Sequence, residues 1–64
     1  MITGKIYIND ASGASRELTG QSHDTFMDMI AKMQAGEYIL IVHGNHHHAY
    51  NSRNVISIEW ETDK

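Results

Sequence analysis

The chain has 64 residues, no cysteine and no proline, with 41% apolar residues and a formal charge of −3. That length allows one domain, 1–64, and the missing cysteines exclude disulfide reinforcement. The five Lys and Arg residues are scattered and form no basic patch, so nucleic-acid binding is not expected.

A domain of about 60 residues buries only roughly 60% of its unfolded surface. Metal binding or self-association is therefore the expected reinforcement, the alternative being simply a modest stability. The longest apolar run, Tyr38–Val42, is far too short to span a bilayer. Met1–Lys5 lacks the layout of a secretion signal, and a cytoplasmic location is the expectation.

In chain order, Ile2 to Asn9 alternates apolar and polar residues, the pattern of a half-buried strand. Asp10–Ser15 is rich in turn formers. Arg16–Thr19 is either a short second strand completing a hairpin or an irregular loop. A helix follows, with Ser22 as its N-cap and Asp24 in the first turn. Phe26, Met29, Ile30 and Met33 form one apolar stripe. Asp28 and Lys32 are spaced for an ion pair, and Gly36 ends the helix.

Glu37–His43 is rich in strand formers, Gly44-Asn45 fits a two-residue turn with glycine first, and His46–Tyr50 returns antiparallel. Asn51–Asn54 is a second turn. Val55–Glu61 is the last strand, with Ile56, Ile58 and Trp60 on one face, and Thr62–Lys64 is expected to fray. The expected fold is α+β: a short antiparallel sheet of four to five strands with one amphipathic helix on one face, in the order β-(β)-α-β-β-β.

The turn at Gly44-Asn45 fixes a register. His43 faces His46, Ile41 faces His48 and Ile39 faces Tyr50, and all six share one side. Tyr38, Leu40, Val42, His47 and Ala49 share the other. One helix covers one side. The side of Leu40, Val42 and Ala49, with Ile56, Ile58 and Trp60, is the richer candidate for the inner one; the two assignments can be exchanged, and apolar residues stay exposed either way. That leaves Ile39, Ile41, His43, His46, His48 and Tyr50 as the expected binding or oligomer face, and a two-fold homo-oligomer as the expected assembly.

The segment His43-Gly44-Asn45-His46-His47-His48 is the chemically unusual one. Opposed and alternate imidazoles at His43, His46 and His48 suit Zn²⁺ or Ni²⁺, although an exposed histidine run also arises without any metal role. Arg16, Arg53 and Trp60 are candidate contacts for a small nucleotide-like ligand held between subunits, set against solvated arginines and a core tryptophan. No nucleophile elbow, phosphate loop or His-Glu-x-x-His pattern occurs, which argues against an enzyme of a known motif class.

The segment Asn51-Ser52-Arg53-Asn54-Val55-Ile56-Ser57-Ile58-Glu59, behind the helix-ending Ala35-Gly36 and the apolar strand, resembles a pattern in small phage and prophage proteins. The resemblance covers about half the chain and transfers no catalytic residue. It implies a non-enzymatic accessory protein that inhibits a host or defence factor, or alternatively sequesters a nucleotide-like signal.

Overall fold

The computed structural model describes residues 2–63, and for His43 the backbone only. The elements run β1 (Thr3–Asp10), β2 (Ser15–Ser22), α1 (His23–Ala35), β3 (Tyr38–His43), β4 (His46–Asn51), a 3₁₀ turn (Ser52–Asn54) and β5 (Val55–Thr62). The fold is α+β, but the strands form two antiparallel sheets rather than one. Three strands pair in the order β2-β1-β5, and β3 and β4 form a separate hairpin.

The separation has a local cause. β1 is already paired on both sides. Between β4 and β5 the 3₁₀ turn diverts the chain: Asn51 caps it by accepting from Arg53 N at 3.0 Å, and Ser52 is buried. Ala11 N donates to the Asn54 carbonyl at 2.7 Å, which fixes the start of β5 beside the end of β1.

The first connection is a true hairpin, and the open choice at Arg16–Thr19 resolves into a strand of eight residues. The Asp10 carboxylate organises its turn, accepting from Ser12 Oγ at 2.6 Å, Ser12 N at 3.0 Å and Ala14 N at 3.1 Å. These bonds, that from the Ser12 hydroxyl above all, hold the Asp10 pKa below its ordinary value. β2 carries a bulge between its pairs Gly4↔Gln21 and Ile6↔Leu18, and Gly20 within it takes a φ of 65°.

The helix forms as its sequence dictates. Ser22 Oγ accepts from Thr25 N at 3.1 Å, and Lys32 reaches Asp28 at 3.4 Å. Gly36, at φ 73°, closes the end with Gly36 N to Met33 O and Glu37 N to Lys32 O, a Schellman cap.

The helix and the β3–β4 hairpin cover the same side of the three-stranded sheet. Ile6, Ile8, Leu18, Val55 and Ile58 from the sheet, Met29 from the helix, and Ile39 and Ile41 from β3 make one buried core. Phe26, Ile30, Met33, Tyr50 and Trp60 pack around it.

Two sequence expectations change in β5. Asn9 faces Ser57 while Asp10 faces Val55, so Ile56 is an extra, bulged residue. The bulge turns Val55 inward beside Ile58 and leaves Ile56 67% exposed, removing it from the expected inner face. The end of β5 is also tied down rather than frayed. Thr62 lies in the strand, Asp63 N donates to Thr3 O at 3.0 Å, and Thr3 Oγ1 donates to the Asp63 carboxylate at 3.1 Å. Lys64 lies outside the described residues.

Candidate binding face and histidine pair

The β3–β4 hairpin has the register that the Gly44-Asn45 turn requires. His43 pairs with His46, Ile41 with His48 and Ile39 with Tyr50, while Val42 pairs with His47 and Leu40 with Ala49. Gly44 sits at φ 62°, supplying the left-handed first corner of the turn.

The side that faces outward is the reverse of the expected one. Ile39 is 0% and Ile41 3% exposed, both in the core, and Tyr50 is half-buried against it. Tyr38, Leu40 and Val42 are instead 60%, 63% and 60% exposed. Both sides of the hairpin carry apolar residues, so composition alone leaves the choice of side open. His46 and His48 lie toward the turn end of the hairpin, where an imidazole is tolerated at the edge of the core because its ring nitrogens stay near the surface. His46 is exposed and His48 half-buried. Ile39, Ile41 and Tyr50 are therefore unavailable as a docking face. The exposed large apolar side chains of the hairpin are Tyr38, Leu40 and Val42.

His46 and His48 are two apart on one strand, so their side chains lie on one side. Their ring centroids are 4.1 Å apart at an angle of 45°, and their Nε2 atoms are hydrogen-bonded to each other. In such a bond one ring donates its Nε2–H and the other accepts on its Nε2 lone pair. Tyr50 stacks on His48 at 6.0 Å and 30°. The pKa of His48 is lowered, first by desolvation, then by the charge of Arg16 and by His46. His43 is backbone-paired with His46, but its side chain lies outside the described residues.

The three residues expected to share a ligand are in three settings. Arg16 pairs with the inward-facing Ile8, so it points toward the hairpin, is half-buried and acts on His48. Arg53 is exposed on the 3₁₀ turn. Trp60 is half-buried, edge-on to His23 at 5.2 Å and tilted against Phe26 at 5.8 Å, and its Nε1 donates to Thr62 Oγ1 at 2.8 Å. Its ring occupies the space a side chain at position 4 would fill: a Cβ on Gly4 would lie 2.6 Å and 2.8 Å from its ring carbons. A shallow depression of about 360 Å³ next to it is lined by Ile2, Ser22, His23 and Asp24.

The motif at 51–59 is accounted for by packing. Asn51 caps the turn, Ser52, Val55 and Ile58 are buried, and Ile56 is the bulge. No helix among the described residues is long and apolar enough to cross a membrane. No protein-family model matches the chain, and no curated protein and no solved structure is significantly similar to it.

Proposed function

We propose that the chain is a non-enzymatic binding protein that acts as a homo-oligomer, two copies meeting through the outer face of the β3–β4 hairpin. The observation that carries the reading is the row Tyr38, Leu40 and Val42, three large apolar side chains each at least 60% exposed on one strand. Across β4 they face Asn51, Ala49 and His47, so no permanent charge interrupts the patch. Contiguous apolar surface of this kind marks an interaction site.

A second copy is the occupant favoured by the fold. A two-stranded sheet is marginal by itself, and a chain of this length leaves much of its surface unburied. An uncharged face laid on its two-fold mate meets no like-charge repulsion, and the same patch serves both partners. The resemblance at 51–59 extends the reading to a phage-type accessory protein whose assembled form inhibits a host or defence factor in the cytoplasm. That extension rests on the resemblance alone.

Sedimentation velocity tests the oligomer. The wild-type chain is expected to sediment as a dimer at high micromolar concentration, and Leu40→Lys with Val42→Lys as a folded monomer. A monodisperse wild-type monomer at that concentration would overturn the reading.

A further inference from the structure

We infer that His46 and His48 form a two-imidazole binding site for a late first-row divalent metal ion such as Zn²⁺, Ni²⁺ or Cu²⁺. The inference is independent of the docking face, because these side chains lie on the opposite side of the hairpin from Leu40 and Val42.

The geometry is that of a chelating pair. Alternate positions on a strand put both rings on one side. Their centroids are 4.1 Å apart, and their two Nε2 atoms meet in a hydrogen bond. Two nitrogens bound to one ion at about 2.0–2.1 Å stand roughly 3 Å apart, so the ion takes the place of the proton with little ring movement. His46 is exposed, leaving it room to adjust. His48 is steadied by Tyr50, which stacks on it and is itself packed against the core.

The donor set suits a cation. A metal needs neutral imidazole with its Nε2 lone pair free, so on binding the Nε2 proton of the donating ring moves to its own Nδ1. Neutral nitrogen donors without thiolate or carboxylate suit Zn²⁺, Ni²⁺ and Cu²⁺ over Mg²⁺ or Ca²⁺. Among the described residues no group of three or more His, Cys, Asp or Glu side chains is placed to hold an ion. The pair therefore supplies two ligands, and water or a small anion completes the shell.

Arg16 makes the inference sharp. Arg16 stands opposite the inward-facing Ile8, on the side of the sheet that the hairpin covers, and its permanent charge repels a dication. Removing that charge should tighten metal binding, whereas it would destroy an anion site.

The test is calorimetric titration of the full chain with ZnCl₂ and NiCl₂ in a non-coordinating buffer at neutral pH, with folding of each variant checked by circular dichroism. Binding of one ion per chain is expected. His46→Ala and His48→Ala should each weaken it at least roughly tenfold, because loss of one of two ligands leaves a single-imidazole contact. His47→Ala, on the outer side opposite Val42, should leave it unchanged. Arg16→Gln should tighten it roughly two- to fivefold. The inference is overturned by an absence of binding heat, by equal losses from His47→Ala and His46→Ala, or by weaker binding in Arg16→Gln.

Discussion

The three-stranded sheet and the β3–β4 hairpin each turn one face away from the shared core, and the two faces are built in opposite ways. On the sheet the outward positions carry Tyr7, Asn9, Glu17, Ser57, Glu59 and Glu61, and they bond to one another. Tyr7 Oη donates to Glu61 at 3.3 Å, and Asn9 Nδ2 donates to Ser57 Oγ at 2.9 Å and to Glu59 at 3.2 Å. On the hairpin the outward positions carry Tyr38, Leu40 and Val42, largely uncovered. A face finished with polar cross-strand pairs is complete in water. A face of exposed Leu and Val leaves apolar surface in contact with water, and the proposed self-association rests on that difference.

The adjacent residues Ile39 and Leu40 offer the largest test of that difference. Both are aliphatic and of the same size, yet Ile39 is 0% and Leu40 63% exposed. Ile39→Ala should cost about 2–5 kcal/mol, enough to unfold much of a domain this small. Leu40→Ala should change the stability of the monomer by less than about 0.5 kcal/mol. Urea denaturation at low micromolar concentration measures both. Equal losses at the two positions would mean that the hairpin is not oriented as described.

The contrast also shows what the sequence could disclose. The helix, its caps, four of the strands and the hairpin register are legible, because a Ser cap, an apolar stripe, a closing glycine and a Gly-Asn turn act locally; the second strand at Ser15–Ser22 and the split into two sheets are not. The choice of inner face was not. β3 and β4 carry apolar residues on both sides, so the outcome depends on how β3 leaves the Gly36 cap and on where the Asn51–Asn54 turn sends β5. The bulge at Ile56 was hidden for a similar reason, since an Ile-x-Ile-x-Trp pattern reads as regular alternation until the pairing with Asp10 is known. The closeness of His46 and His48 followed from the turn, while the approach of Arg16 depended on how the two layers stack and could not be read from spacing.

Gly4→Ala probes how tightly the sheet side is finished. An added Cβ would lie 2.4 Å from the Glu61 carbonyl oxygen and 2.6 Å from the Trp60 ring. Backbone cannot yield as a surface side chain does, so the expected loss is about 1–3 kcal/mol, between the costs at Ile39 and Leu40. Thermal unfolding monitored by Trp60 fluorescence reports it, and an unchanged midpoint would show that the β1–β5 pair is looser than the Trp60 contact implies.

The smallest effect expected belongs to the polar face and comes from pH. Tyr7 has its pKa pushed up to about 12, first by desolvation and then by the neighbouring carboxylates of Glu17 and Glu61, which disfavour the phenolate. The folded state holds the phenol proton to higher pH than the unfolded state, whose tyrosine titrates near 10. Between about pH 10 and 12 the folded state therefore binds more protons, and stability must fall as pH rises through that window. The phenolate absorbance of the folded chain should show a step near pH 12 that Tyr7→Phe removes. Tyr7→Phe should remove this alkaline sensitivity and leave oligomerisation untouched, since Tyr7 lies on the sheet's outer face and not on the hairpin. A change in oligomeric state with that substitution would place the partner on the polar face, and the distinction drawn between the two surfaces would then be wrong.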